Sequence, residues 1–461
     1  MTRDLCYEFA EYAVDTRFES IPASAVEAAK KSILDLFGVI LASSGLEPAV
    51  RGLVELVHET GGRPESTVLG FPGHVPAVWA AFANGAMAHG LDFDDLTPWG
   101  NHASSSIVPA AFAVAERRGG VTGKDLIAAI AVGQDLFARL LCNVEWRKDW
   151  NMSTVAGTFA GAAACGRVLG LPADQMANAL SIASMQSAGT MEVVYGIGGD
   201  MRGMYAAFSA KAAALSALLA HRGLTGVKSA FEGKVGFFNT YFHGHYQRDK
   251  MLEGLGRDYL GDTTLFKPWP AVGPSHSHIH ATIQLVTTHD LGLGDIEEIR
   301  VHAGDYQQIM CAPLESRRAP ATLVDAKFSL PFLVAVAAVH RGVKIWNFTG
   351  DALRDPQVLA MARKVVPVPD AAYDWKYELP LGRVVIVTKD GRSLDLVGTK
   401  VPGSAEAPLD WDRVASKFAE CASVAAAPPS GRQIETASRI ARELESFEDA
   451  TELLRVLQPS G

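Results

Sequence analysis

Apolar residues recur three and four positions apart through most of the first 230 residues, in Ala-rich stretches that begin at capping residues and end at Gly or Pro. The spacing predicts a helix from Pro22-Ala23-Ser24 to Ala42, another over 122–143 behind a Thr122-Gly-Lys-Asp125 capping box, and others over 155–169, 172–188 and 204–221. No alternating pattern interrupts the series, so an all-α bundle without strands is expected.

The period changes after Lys267. Ile296 to His302 alternates as a half-buried strand does, and 384–388 with 393–397 reads as a hairpin turning at Asp390-Gly391. Helical patterns over 279–291 and 326–340 sit among these strands, and beyond Pro402 the helical period returns over 409–423 and 431–456. The predicted fold is mainly α: a large all-α helical domain from residues 1–266 and 403–461, and a smaller α+β domain from 267–402.

With 461 residues, 48% of them hydrophobic, the chain can bury a core in each part. A net charge of −9 with scattered Lys and Arg leaves no basic patch, so no nucleic-acid partner is expected. The longest apolar runs, such as Leu330 to Val339, have about half the length of a membrane span, so no membrane partner is expected either. The N-terminus carries Asp4 in an amphipathic pattern rather than an apolar leader, which reads as a cytoplasmic protein. Cys6, Cys142, Cys165, Cys311 and Cys421 lie far apart with no CxxC. That spacing argues against disulfides, zinc ribbons and a cysteine-ligated iron–sulfur cluster. Any chemistry on citrate-like acids would then rest on side chains, with neither cofactor nor metal.

The densest polar cluster is His89-Gly-Leu-Asp92-Phe-Asp94-Asp95-Leu-Thr97-Pro98-Trp99-Gly-Asn101-His102, between two apolar helices, with Gly90 as a C-cap and Pro98 to Gly100 as a turn. A carboxylate beside a histidine orients it and keeps its pKa near working pH, which suits general acid–base catalysis; capping by Asp94 and Asp95 is the plainer alternative. A second cluster, Lys267-Pro-Trp269-Pro270 followed by His276, His278 and His280, falls at the domain boundary. On a strand the three histidines would share a face and invite a metal; on the helix that the following residues predict, only His276 and His280 are neighbours. The glycine-rich stretch Gly196 to Gly203 lacks the sixth-position Gly and the preceding strand of a dinucleotide fingerprint. At a helix start, with Arg202, it can still receive an anion.

Together these stretches resemble the MmgE/PrpD family, which includes 2-methylcitrate dehydratase, cis-aconitate decarboxylase and iminodisuccinate epimerase. The matching text is Ala88 to Asp95, Gly157 to Leu171, Gly223-Leu-Thr-Gly226, Lys267 to His276 and Asp325 to Pro331. The resemblance implies an all-α domain completed by the C-terminal helices, a smaller α+β lid, a homodimer, and an active site between the domains. It carries Asp92, His102, Lys267 and His276 over as catalytic residues. The substrate it implies is a small polycarboxylate.

Three positions depart from the family pattern: Leu96 precedes Thr97 where the family has Thr directly after the acidic run, Met152 stands where a His is common, and Arg202 replaces a Lys. Arg keeps the charge and binds a carboxylate bidentately, but does not give up a proton. The expectation is a lyase of the dehydratase type, with an epimerase, a decarboxylase or a non-catalytic carboxylate binder as alternatives. In it Lys267 and Arg202 hold carboxylates, Thr97 contributes a binding hydroxyl, His102 oriented by Asp92 moves the proton, and His276 is the second acid or base.

Overall fold

In the computed structural model, which describes residues 3–196, 199–376 and 378–459, the apolar side chains gather into two main cores. The larger joins helices between Leu5 and Phe266 to those between Leu409 and Leu457; the smaller lies between Ala271 and Ile386. A bridge of Val39, Ala42, Leu91, Phe93, Ile345 and Cys421 packs where the parts meet. The fold is mainly α with a smaller α+β part, as the periodicity predicts.

Helices Ala77–His89, Ser104–Arg118, Gly123–Cys142, Met152–Leu169 and Ala206–His221 form the centre of the helical part. Small residues set their spacing. A Cβ on Gly85 would stand 2.8 Å from the Ala210 Cβ, and one on Gly161 2.7 Å from the Ala213 Cβ, so any larger side chain would force the helices apart. The stretch Met201–His221 is apolar and long enough to cross a membrane by length and composition, and 72% of its apolar window is buried among these neighbours. A helix apolar on all sides belongs in such a central position. Helix Trp411–Ala422 returns to lie along Ala23–Leu46, where a Cβ on Gly38 would meet the Phe418 Cα at 3.2 Å.

The α+β part holds a four-stranded sheet in the order Val365–Pro369, Ile296–Ala303, Arg383–Thr388, Ser393–Val397, the first pair parallel and the others antiparallel. The hairpin turns at Asp390-Gly391, with Gly391 at φ 87°. Helices His276–Thr288 and Leu330–His340 pack together beside it.

Several expectations need correction. A two-residue hairpin, Ser66–Thr67 with His74–Val75, does interrupt the helical part. Strand Val365–Pro369 has no forecast in the periodicity because Pro367 and Pro369 break it; both are tolerated since the strand lies at the sheet edge. The helix foreseen over 172–188 stops at Ala183, and the one over 431–456 divides into Gly431–Arg442 and Glu452–Leu457.

Candidate functional site

Helix Ala77–His89 ends in the polar cluster, and the chain reverses there through Asp92, whose φ is 48°. Asp tolerates this left-handed conformation better than most residues. Gly90 is the C-cap but stays right-handed; it is small for another reason, since a Cβ there would meet the Ser43 Oγ at 2.7 Å. Asp94 and Asp95 cap no helix.

Asp94 lies between two imidazoles. Its Oδ1 is 2.9 Å from His89 Nδ1 and its Oδ2 is 3.0 Å from His102 Nδ1, which also sits 2.9 Å from the Asp95 carbonyl. Every partner of these Nδ1 atoms is an acceptor, so each Nδ1 carries its proton and each Nε2 presents a lone pair. The two rings are 4.3 Å apart, and Tyr205 packs 4.4 Å from His89. The His102 backbone N–H donates to Ser153 Oγ at 3.0 Å. Burial lowers the pKa of His102 below its usual 6.5, with Asp94 opposing that change, so the ring is neutral at pH 7 and able to accept a proton. Burial works against the charge of Asp94 too, but the two imidazoles hold its carboxyl well below the ordinary range.

Asp92 and Lys267 form a buried ion pair; the ammonium also donates to the Asp92 carbonyl at 2.8 Å. Against its own desolvation, Asp92 is brought to about 2 by Lys267. Its Oδ1 lies 3.7 Å from His102 Nε2. A further polar layer supports the loop from behind: Asp95 accepts from Ser104 Oγ at 2.6 Å and from Ser32, and Lys417 on the returning C-terminal helix donates to the Phe93 carbonyl at 2.6 Å. Burial, with Asp35 adding to it, pushes Asp95 up to about 8, so it is a protonated partner at neutral pH.

His89, Asp92, His102, Ser153, Tyr205, Arg202, Tyr306 and Phe328 line a cavity of about 70 Å³. The cavity lies between the helical part and the α+β part. Arg202 is 5% exposed and stacks 3.5 Å above the Phe328 ring. Its Nη1 donates to the Gly196 carbonyl at 3.3 Å, its Nε has no partner, and no carboxylate among the described residues pairs with it. Burial lowers its pKa to about 10, so it remains a cation at neutral pH. Ile197 and Gly198, part of the glycine-rich stretch, lie outside the described residues.

The structure brings Asp92, His102 and Arg202 to this cavity and separates the other expected residues from it. His276 is turned away: its Nε2 is 3.0 Å from the Ala271 carbonyl, its ring packs edge-on to Trp269, and it lines a second cavity of about 420 Å³ with Lys267. Burial, with Lys267 adding to it, lowers its pKa to about 3, which does not suit an acid–base role at neutral pH. Thr97 closes the turn, its backbone N–H donating to the Asn101 carbonyl at 2.8 Å and its Oγ1 accepting from Asn101 N–H at 3.2 Å. Lys267 is engaged by Asp92 and is not free to hold substrate. On helix His276–Thr288, His278 points elsewhere, 2.8 Å from the His302 carbonyl, so the three alternate histidines form no ligand set.

His89, Asp92, Asp94 and His102 do bring one potential ligand atom each within 4.8 Å of one another. Their charges are already matched within the protein, Asp92 by Lys267 and Asp94 by the imidazoles, and the Lys267 ammonium would repel a cation bound there. His89 and Asp94 belong to the site although the sequence did not single them out; their place in the same polar cluster was the available signal. Ser153, Tyr205, Tyr306 and Phe328 carry no such signal.

A family model described as the MmgE/PrpD N-terminal domain matches residues 7–249, and one described as the MmgE/PrpD C-terminal domain matches residues 269–442. A cis-aconitate decarboxylase of Aspergillus terreus is 27% identical over 481 residues, covering 99% of this chain and 96% of that protein. The cis-aconitate decarboxylase of Mus musculus is 24% identical, covering 99% and 94%. A 2-methylcitrate dehydratase of Salmonella typhimurium is 23% identical over 67% of this chain and 66% of its own length.

Proposed function

The chain belongs to the MmgE/PrpD family, and on that premise we propose that it is a lyase of the dehydratase type, acting without a cofactor on a small hydroxy-polycarboxylate. One observation carries the reading: a neutral, buried histidine, its Nε2 in no hydrogen bond among the described residues, shares a cavity with a buried guanidinium that pairs with no carboxylate among them. Arg202 binds a substrate carboxylate. His102 Nε2 removes the proton from the neighbouring carbon, and Asp94, whose Oδ2 lies 3.0 Å from Nδ1, stabilises the imidazolium that forms. The Asp92–Lys267 pair sets the position of the loop and adds a negative charge near Nε2.

A decarboxylase working from the same residues is the second reading, favoured by relatives of that name aligning along 99% of the chain. Proton NMR in deuterium oxide, with 2-methylcitrate, cis-aconitate and a panel of di- and tricarboxylic acids, separates the two. Chelator-resistant loss of water supports the dehydratase, loss of carbon dioxide the decarboxylase, and exchange without either an epimerase. Silence across the panel would sink all three.

A further inference from the structure

Elimination of water requires two proton transfers: one away from carbon and one to the departing hydroxyl. With His276 facing another cavity, the second carrier is missing from the scheme above. We propose that His89 is that carrier, coupled to His102 through Asp94. This rests on the lyase reading.

The argument is geometric. His89 lines the same cavity as His102, and the rings lie 4.3 Å apart. His89 Nδ1 is hydrogen-bonded to Asp94 Oδ1 at 2.9 Å, His102 Nδ1 to the Asp95 carbonyl at 2.9 Å with Asp94 Oδ2 3.0 Å away, and no hydrogen bond engages either Nε2 among the described residues. A histidine held only for packing has no need of a carboxylate that fixes its tautomer and leaves Nε2 to the cavity. Tyr205, packed 4.4 Å from the His89 ring, fixes its tilt. The single charge of Asp94 stabilises one imidazolium wherever it resides in the pair.

The cycle balances once the pair has taken up one proton from solvent, carried on His89 Nε2, with His102 Nε2 still bearing its lone pair. His102 Nε2 takes the proton from carbon and leaves the C–H electron pair on a carbanion delocalised into the neighbouring carboxylate; that pair then becomes the new C=C bond as the C–O bond breaks, and the hydroxyl leaves as water with the proton of His89 Nε2. The cycle ends with the imidazolium on His102, and solvent returns that proton to His89 after product departs.

The test compares His89→Asn with His89→Gln and His102→Ala. Asn keeps a donor toward Asp94 near the Nδ1 position but carries no proton to substrate, so a purely positional role would be rescued by it. Two rates are followed in deuterium oxide: elimination, and exchange at the carbon next to the carboxylate. Both His89 variants are expected to lose about 10² to 10⁴ in elimination while exchange driven by His102 continues, and His102→Ala is expected to lose both. Full activity in His89→Asn, or a parallel fall of exchange and elimination in a folded His89→Asn, overturns the role given to His89. A wild type inactive toward every acid overturns the lyase reading and this proposal with it.

Discussion

Replacing Arg202 with Met separates the stability of the fold from its function, because the two are expected to move in opposite directions. Arg202 is a buried cation without a carboxylate partner among the described residues, and its pKa falls from 12.5 to about 10. At 1.36 kcal/mol per tenfold, holding the charge inside costs about 3 kcal/mol. A depressed cation destabilises the fold at every pH below about 10, so the whole penalty is present at pH 7. Met fills similar space over Phe328 without charge, losing the cation–π contact and the bond to Gly196, worth together about 1–2 kcal/mol. The net expectation is a gain of about 1–2 kcal/mol, or a rise of roughly 1–2 K in Tm for a chain of this length. Function goes the other way: two charge-assisted bonds to a substrate carboxylate are worth about 3–5 kcal/mol, so kcat/KM should fall roughly 10² to 10⁴-fold. The assay is thermal unfolding of both proteins with and without saturating substrate, alongside kcat/KM. A variant that is less stable than wild type and still stabilised by substrate would refute the reasoning, since Arg202 would then be a structural residue satisfied by the protein.

His102→Ala should lower turnover about 10² to 10⁴-fold with the fold intact, and a loss under tenfold would remove its role as base. Because burial places its pKa below 6.5, the acid limb of the kcat/KM profile should also lie below pH 6.5. Lys267→Met should cost about 3–5 kcal/mol by leaving Asp92 charged and alone, and the added Asp92→Asn change should restore part of that; equal urea midpoints for the single and double variants would contradict a coupled pair. His276 and His278 have folded pKa values of about 3 and 4 against about 6.5 unfolded, so the unfolded chain takes up protons first and stability falls as pH drops below 6.5. Each should contribute about 2 kcal/mol of loss between pH 6.5 and 5. The difference in urea stability between wild type and His278→Gln, measured at both pH values, isolates one of them.

The helical part was legible because its elements are long, capped and strongly periodic; Thr122 does accept from the Asp125 N–H, and Asn151 caps the helix that begins at Met152. The parallel edge strand was not, because two prolines in five residues hide a strand whose outer side needs no donors. In the site, contiguous sequence marked the polar loop from His89 to His102 but not which carboxylate serves which ring. Asp92 was expected to orient His102, whereas the Asp95 carbonyl is bonded to its Nδ1 with Asp94 Oδ2 3.0 Å away, and Asp92 pairs with Lys267, 175 positions away. Sequence spacing misplaced His276 for a different reason. The helix it opens turns its ring toward Trp269 and the Ala271 carbonyl, a rotation set by packing in the α+β core.

The three departures from the family pattern acquire physical meaning together. Leu96 pairs with Leu265 through two backbone hydrogen bonds of 2.9 and 2.8 Å, and Thr97 is occupied in its turn, so no hydroxyl from this segment reaches the cavity. Met152 is fully buried, and the neighbours that do line the wall, Asn151 and Ser153, offer an amide and a hydroxyl. Arg202 keeps its proton at neutral pH, as do Tyr205, raised well above 10 by burial, and Tyr306, pushed up to about 12. Proton exchange near neutrality therefore falls to the imidazoles of the 89–102 loop, which answer to one carboxylate. A reaction needing a base and an acid on separate elements has no second group here to use. One in which a tightly coupled pair passes a single charge back and forth has what it needs in His89, Asp94 and His102.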